Sequence, residues 1–391
     1  MCVLLLGPWV GCVPDFSLPD VLNLPWLAPA GTTDGGSSGG AVQRPVGATS
    51  YTVAGEVSGR GNYQLFELGP ALTGEQWSLS ADLYAATSFT VVLFDDNYDM
   101  LARAIVRSGN PLAHVLREDV ATLRVGVAPT STGSGGAFNF RAALTGTANV
   151  PAPRTQVVYL DFGGAAGLTV NSRRDIAFGP FNSGLVGDAY ADDTEYFCRT
   201  IVDEVRRDYA GYDVIVWSSL DGPPPAGVHS VVHFGGEGRG LLGLADSVDQ
   251  YNVNLNQRAI VFTNSFALYS GMRLSARQMA QMMANTASHE LGHLLGLYHT
   301  ADPNHLMDTT GNVWDLIANQ QFHRAPLETT VFPYGQQNTP KLLTQTVGRN
   351  ADTAQAAKAE LLEKALDRTM VRDLLATELP SRCGNCLNPD E

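Results

Sequence analysis

Residues 45–147 contain short runs of β-branched and aromatic residues, and Gly, Asn and Asp separate one run from the next. The runs are SYTVAGEV, NYQLFEL, QWSLSADLY, SFTVVLFD, ATLRVGVA and GAFNFRAAL. Short apolar runs with turn residues at this spacing are typical of a small antiparallel β-sandwich. We therefore predict an all-β domain over residues 45–148, in which the sequence shows no catalytic cluster.

The pattern changes after NVPAPRT, whose two prolines predict a domain boundary near residue 149. Apolar runs predict buried strands at QVVYLDFGG, DVIVWSS, VHSVVHFGG and RAIVFTNSF. One helix is predicted early in this region because apolar residues recur at helical spacing: Phe197, Ile201, Val205 and Tyr209. A long helix, SARQMAQMMANTASHELGHLLGL, is predicted later, with Ser275 as its N-cap. Residues 149–349 are therefore predicted to form an α/β (α+β) domain whose sheet is covered mainly on one side.

The first 44 residues predict an exported protein. The start, MCVLLLGPWVGCVPDF, is apolar and resembles a bacterial lipoprotein signal in which Cys12 is lipidated; an ordinary signal peptide is the alternative. Either form predicts an extracellular or cell-envelope location. The run GTTDGGSSGG that follows has the composition of a flexible tether.

Residues 350–391 are predicted to add an amphipathic helix and a cysteine-containing tail. The helix covers 353–379, and the tail carries Cys383 and Cys386 in RCGNC, a spacing that a small disulfide could close. Cys198, on the predicted early helix, is interpreted as a buried thiol.

Charge narrows the choice of partners. The 391-residue chain has a formal net charge of −14, which argues against binding to nucleic acid or to an anionic membrane. A lipid anchor at Cys12 is the one membrane attachment that the sequence predicts. Oligomeric state cannot be inferred from these features.

The strongest chemical signal is the stretch HELGHLLGLYH. His289 and His293 are four residues apart on the predicted helix, so both imidazoles can reach one metal ion. Glu290 lies beside them, where it can act on a water molecule rather than bind the metal. His299 can supply a third ligand if the helix ends first, and Gly296 permits that break because glycine tolerates a left-handed turn. This pattern predicts one catalytic Zn²⁺ ion with an open fourth position.

The pattern HExxHxxGxxH followed by a methionine, here Met307, resembles the signature of the metzincin zinc endopeptidases. The resemblance extends over much of residues 155–349, from the strand VVYLDFGG onward. It implies a mixed twisted sheet, a long active-site helix and a Met307 that lies beneath the metal without binding it. It also implies an edge strand within residues 229–245 that holds a protein or peptide substrate in extended form. The β-rich domain resembles the pre-peptidase C-terminal accessory domains of bacterial secreted proteases.

Other assignments for the metal site stay open at the level of sequence. A distant acid could replace His299 as the third ligand, and three are close enough along the chain: Asp302, Asp308 and Asp315. His305 is interpreted as a loop or pocket residue. Cys383, in the context Arg-Cys-Gly, could cap the zinc ion and keep the enzyme latent.

Three further segments carry weaker signals. Residues 246–254 collect oxygen donors that could bind calcium, but a polar loop is the preferred interpretation. His229 and His233 are interpreted as strand-packing residues rather than as a second metal site. The run FPYG at 332–335 could form a wall of the substrate pocket.

The predicted function is a zinc-dependent endopeptidase in which Glu290 is the general base. One alternative is a zinc amidase that acts on a small or glycan-linked amide. The other is an envelope adhesion or scaffold protein whose protease domain is inactive. Inactive domains usually lack a ligand or the glutamate, whereas this sequence keeps all four residues.

Overall fold

The computed structural model describes residues 50–59, 61–81, 88–130 and 135–349, with two short strands, β1 (Val3–Leu5) and β2 (Ser37–Ser38). The remainder of the predicted leader and tether, and the predicted C-terminal helix with Cys383 and Cys386, lie outside the described residues. No helix in the described ranges is both long and apolar enough to cross a lipid bilayer.

The chain is β-rich and divides into two compact units, which we call the sandwich unit and the α/β unit. The sandwich unit contains residues 50–150 and the short segment Phe332–Gly335. Among the described residues, the α/β unit contains Pro151–Val331, residues 336–349 and β1.

The sandwich unit is built from two sheets around one apolar core. Its strands are β3 (Ser50–Ser58), β4 (Gln64–Ala71), β5 (Glu75–Ala81), β6 (Phe89–Phe94), β7 (Met100–Val106), β8 (Leu112–Val115), β9 (Val120–Pro129) and β10 (Gly135–Thr147). The sheet orders are β3-β10-β5-β8 and β2-β4-β9-β6-β7. Trp77 from the first sheet and Phe89 from the second are buried in the shared core, where Phe89 meets Phe140 edge-on at 5.7 Å.

The FPYG segment clusters with the sandwich unit. Phe332 is buried and lies 5.5 Å from the ring of Phe94, while Tyr334 stacks on Tyr63 at 5.3 Å. This aromatic packing joins residues more than 200 positions apart, which no local pattern reveals. A role for residues 332–335 as a pocket wall stays a prediction.

The α/β unit is centred on a mixed sheet. Its strands are β11 (Gln156–Asp161), β12 (Ala165–Val170), β13 (Arg173–Phe178), β14 (Val214–Ser218), β15 (Ser230–Phe234), β16 (Leu241–Ala245), β17 (Arg258–Val261), β18 (Arg324–Pro326) and β19 (Gln336–Asn338). The main sheet has the order β1-β16-β17-β15-β11-β14. Strands β14, β11, β15 and β17 are parallel, whereas β16 runs antiparallel to β17 and β1 antiparallel to β16. The β12–β13 hairpin packs its apolar residues against β16 and β17.

The position of the edge strand differs in part from the prediction. Strand β15 lies inside the sheet, between β11 and β17, so residues 230–234 offer no free edge. Strand β16 is the one strand of residues 229–245 that lies beyond β17. Its outer side is paired with β1, with Val3 opposite Leu244 and Leu5 opposite Leu241. Hydrophobic patterning could not separate β15 from β16 because both strands are largely buried.

Four α-helices lie in the described part of this unit: α1 (Thr194–Asp208), α2 (Ala276–Leu294), α3 (Val313–Leu316) and α4 (Thr339–Thr346). Three 3₁₀ helices accompany them, at Ser183–Leu185, Asp188–Tyr190 and Thr263–Met272. The predicted N-cap of α2 is confirmed, because the Ser275 side chain accepts from the Gln278 backbone and Gln278 reciprocates in a capping box. Helix α1 packs against α2, and the buried Tyr209 hydroxyl donates to the Ser288 carbonyl oxygen at 2.7 Å. Cys198 is fully buried on α1 but is disulfide-bonded, so the interpretation as a free thiol is wrong.

Candidate metal centre

Helix α2 brings His289 and His293 to one point. The two residues are one helical turn apart, both are buried, and their Nε2 atoms lie 3.1 Å from each other. Packing of α2 against α1 on one side and against β15, β16 and β17 on the other fixes the helix in place. The four-residue spacing and the packing of α2 therefore hold the two Nε2 atoms close together in a fixed position.

Gly296 ends the helix and turns the chain back toward the two histidines. Its φ of +89° is in the left-handed region, and a Cβ there would lie 2.6 Å from Cα of Gln250. The amide of Leu297 donates to the Gly292 carbonyl across the turn, which satisfies a free carbonyl at the helix end. The reversal places Nε2 of His299 3.1 Å from Nε2 of His293. Both conformation and space therefore require glycine at position 296.

The three imidazoles form the only group of this kind among the described residues, as the Asp, Glu, His and Cys side chains there show no other cluster of three potential ligand atoms. Nδ1 of His289 donates to the Leu306 carbonyl and Nδ1 of His293 donates to the Leu297 carbonyl, each at 2.8 Å. These bonds place the proton on Nδ1, so both Nε2 lone pairs point toward the common centre.

This donor set fits a zinc ion. Lone pairs that face one another at 3.1 Å repel unless a cation lies between them, and two nitrogens bound tetrahedrally to one zinc ion lie about 3.3 Å apart. Burial, and then the neighbouring histidines, lowers the pKa of His289 and His299 well below the ordinary value. Burial lowers the pKa of His293 to about 4. The imidazoles are therefore neutral at pH 7, which is the state that binds metal.

The alternative acidic ligands have other partners. Asp302 pairs with His323 at 2.8 Å, Asp308 accepts hydrogen bonds from Thr310 and Gly311, and Asp315 caps the start of α3. None of the three joins the imidazole cluster. The cluster is complete with His299, so the structure favours histidine as the third ligand.

Glu290 is fully buried on α2 and its side chain reaches β16, where it lies against Gly243. It is not a member of the imidazole cluster. A buried carboxylate on the same helix that is not one of the clustered donor atoms is suited to hold a proton and not a metal ion. Its role as general base stays a prediction.

Met307 packs against helix α2 at Gly292, which lies between His289 and His293 in sequence. Its sulfur lies 2.5 Å from where a Cβ of Gly292 would be, so a larger residue there would displace the methionine. The Thr300 amide donates to the Met307 carbonyl at 2.9 Å, which ties the methionine to the residue that follows His299. The methionine therefore packs against the helix that carries two of the three imidazoles.

His305 is buried and holds the backbone of Met307 in place, a role that the sequence does not indicate. Its Nδ1 accepts from the Met307 amide at 2.9 Å, and its Nε2 reaches the Thr339 hydroxyl at 3.0 Å. Burial lowers the pKa of His305 to about 3, so it remains neutral and can both accept and donate. A histidine that uses both ring nitrogens in this way has none left for a metal ion.

The loop at residues 246–254 uses its carboxylates to hold backbone. Asp246 accepts from the amides of Asn171 and Arg258, and Asp249 accepts from the amide of Asn254 and the side chain of Gln257. The Asp249 amide in turn donates to the His293 carbonyl at 3.0 Å. These contacts support the interpretation as a polar loop over the calcium site, and they brace the end of α2.

His233 lies on β15 with its Nδ1 3.3 Å from a carboxylate oxygen of Asp161, on the neighbouring strand β11. His229 precedes β15, and its Nδ1 lies 2.9 Å from the Gly227 carbonyl oxygen. Neither belongs to a three-ligand cluster in the described part of the chain. They therefore remain packing residues.

Asp208, which contacts Ser288 of α2, predicts how the free energy of unfolding depends on pH. Burial raises its pKa from 3.8 to about 7, and the hydrogen bond that the Ser288 hydroxyl donates to it only partly opposes this. Between about pH 4 and pH 7, the folded state therefore keeps a proton on Asp208 that the unfolded chain has already released. The free energy of unfolding falls as pH rises through that window.

We expect Asp208→Asn to raise the free energy of unfolding at pH 8 by roughly 2 kcal/mol and to have a much smaller effect at pH 5. Urea denaturation of both proteins at the two pH values measures this. Asp203→Asn removes the same charge from an exposed position on the same helix and is the matched control. An equal effect of Asp208→Asn at both pH values would show that the carboxyl group is not buried with a raised pKa.

Comparison with known proteins adds little to this description. No family model and no curated protein matches the chain. Among solved structures, the periplasmic inhibitor of g-type lysozyme PliG from Aeromonas hydrophila is 14% identical over 28% of this chain and 96% of its own, with a TM-score of 0.24. The pre-peptidase C-terminal domain of a collagenase from Bacillus anthracis is 14% identical over 24% of this chain and 87% of its own, with a TM-score of 0.18.

Archaemetzincin from Methanopyrus kandleri is 15% identical over 46% of this chain and 93% of its own, with a TM-score of 0.24. TM-scores this low do not establish a shared fold. The functional conclusion therefore depends on the geometry of the site.

Proposed function

We propose that this protein is a zinc-dependent endopeptidase of the metzincin type. The observation that carries the proposal is the convergence of the imidazoles of His289, His293 and His299. The buried Glu290 on the same helix, the glycine turn at Gly296 and the packing of Met307 against Gly292 support it, because they match the HExxHxxGxxH and Met-turn pattern.

The residues of the chain divide the chemistry as follows. A zinc ion held by the three imidazoles supplies Lewis acidity, which lowers the pKa of a water molecule and polarises a substrate carbonyl. Glu290 accepts the proton of the attacking water on its carboxylate and then delivers it to the leaving amide nitrogen. The carbonyl groups of Leu306 and Leu297 hold the two imidazoles of α2 in the tautomer that this requires.

We propose that the substrate is a protein or peptide in extended form that pairs with the outer side of β16. Strand β1 is paired antiparallel at that position, so a substrate strand would take its place. Backbone pairing of this kind gives affinity for any extended chain. Folded proteins offer few such segments, so unfolded or flexible regions should be cleaved first.

Export to the cell envelope or the extracellular space fits the buried disulfide at Cys198, because disulfides persist in oxidising compartments. A lipid anchor at Cys12 and an accessory role for the sandwich unit remain part of the proposal. The net charge of −14 agrees with a protein that does not bind nucleic acid.

The test is the hydrolysis of reduced casein, an unfolded substrate, with mass spectrometry to identify new peptide termini. We expect cleavage by the zinc-loaded protein, its loss after treatment with 1,10-phenanthroline, and its return when zinc is restored. A folded, zinc-loaded protein that leaves casein intact would contradict the proposal. Hydrolysis of small amides alone would then favour the amidase, and inertness toward both would favour a scaffold.

A further inference from the structure

Gly243 lies at the centre of β16, where the missing side chain leaves the space that the Glu290 carboxyl arm occupies. A Cβ at this position would overlap Oε1 of Glu290 and would lie 2.6 Å from Cγ and 2.7 Å from Cδ. Carbon atoms essentially never approach so closely. The backbone of Gly243 is ordinary strand, outside the left-handed region, so backbone conformation does not require glycine here. The space that the Glu290 side chain needs therefore explains why position 243 is glycine.

Neither partner in this contact has room to withdraw. Glu290 is fully buried on α2, which packs directly against β16. Gly243 is paired with Val261 of β17, and the flanking Leu242 and Leu244 are buried as well. A methyl group added at position 243 would therefore displace the carboxyl arm of Glu290 before it moved the strand.

We infer that Gly243 is a positioning residue that determines where the Glu290 carboxylate lies relative to the three imidazoles. The inference deepens the proposed function and depends on it. Proton transfer requires the carboxylate within hydrogen-bond reach of the attacking water, and a shift of about 1 Å costs on the order of 100-fold in rate. The three atoms nearest to an added Cβ at position 243 all belong to Glu290, so metal binding should be spared.

The experiment compares Gly243→Ala with Gly179→Ala, a control in which a Cβ meets nothing within 4 Å. We expect Gly243→Ala to lower kcat for a peptide substrate roughly 100-fold, with KM and zinc affinity close to those of the wild type. Calorimetry with acetohydroxamic acid provides a second measurement that needs no turnover. Glu290 would accept the proton of acetohydroxamic acid when the acid binds. Because Gly243→Ala displaces Glu290, we expect acetohydroxamic acid to bind this zinc-loaded variant about tenfold more weakly than the wild type. Gly179→Ala should match the wild type in every respect.

Glu290→Asp shortens the arm by one methylene group and so makes room for a Cβ at position 243. We expect the loss in kcat from Gly243→Ala to be smaller in the Glu290→Asp background than in the wild type, as a double-mutant cycle would show. If Gly243→Ala alone does not fold, we expect Gly243→Ala in the Glu290→Asp background to fold and bind zinc, because the shorter arm leaves room for the Cβ. Failure of this double variant to fold, while Glu290→Asp folds, would overturn the inference.

Wild-type kcat together with wild-type acetohydroxamate affinity in Gly243→Ala would overturn the inference while the proposed function stood. If the zinc-loaded wild type cleaved no peptide, the proposed function would fail. The acetohydroxamate comparison would still decide whether Gly243 positions Glu290.

Discussion

Replacement of Glu290 by glutamine is expected to abolish peptide hydrolysis while zinc stays bound. Glutamine has the same shape, so it fits the space against Gly243 and leaves the three imidazoles undisturbed. It cannot accept the proton of the attacking water, and loss of a general base typically costs roughly 10²- to 10⁴-fold in rate. The measurement is kcat/KM on a fluorogenic peptide, with the zinc content of each sample determined by mass spectrometry.

Glu195→Gln is the control for this prediction. Glu195 is an exposed residue of α1 that pairs with Arg199, so the same chemical change there should leave kcat/KM unaltered. Glu290→Gln with more than a tenth of wild-type kcat/KM would assign the general base to another group. Loss of zinc from this variant would instead mean that Glu290 contributes to metal binding.

Replacement of His293 by alanine is expected to remove zinc and with it both activity and zinc-dependent stability. Loss of a group that hydrogen-bonds to a metal ligand costs about 10- to 100-fold in metal affinity, and loss of the ligand itself should cost more. A ligand present at about 1,000 times its Kd stabilises the folded state by about 4 kcal/mol. We therefore expect Tm to rise with added zinc in the wild type and to stay constant in His293→Ala.

His323→Ala serves as the control, because His323 is partly exposed, pairs with Asp302 and lies outside the cluster. Its Tm should rise with zinc as in the wild type. Both variants can be followed by differential scanning calorimetry over a zinc titration. A zinc-dependent rise in Tm of His293→Ala equal to that of the wild type would place the metal elsewhere.

The clustering of His289, His293 and His299 could be predicted from the sequence because their placement is almost entirely local. A four-residue spacing on a helix puts His289 and His293 on one face whatever the rest of the fold does. Gly296 sets the turn that brings back His299 within six residues, and its φ of +89° is a conformation that favours glycine. The capping box at Ser275 is local in the same way.

The features that could not be predicted are those that depend on contacts distant in sequence. Gly243 meets Glu290 across 47 positions, and its role is visible only when β16 lies beside α2. The run FPYG has the composition of a pocket wall, yet aromatic packing with Tyr63 and Phe94 includes it in the sandwich unit. The apolar pattern of β15 does not distinguish an interior strand from an edge strand, because strand order depends on pairing with distant strands.

The supporting residues around the site follow the same rule. His305 was placed in a loop or pocket, and its bond to the Met307 amide requires the chain to fold back within two residues. Asp208 was assigned no role, because its contact with Ser288 joins two helices 80 positions apart. Sequence patterns therefore predict the histidine cluster, and the three-dimensional structure is needed to find the residues that hold it in place.

The most direct test of the zinc-endopeptidase proposal is the cleavage of reduced casein by wild type and Glu290→Gln, side by side at equal zinc content and equal folded concentration. We expect new peptide termini from the wild type alone. Equal cleavage by both proteins would show that another activity is responsible, and no cleavage by the zinc-loaded wild type would contradict the proposal outright.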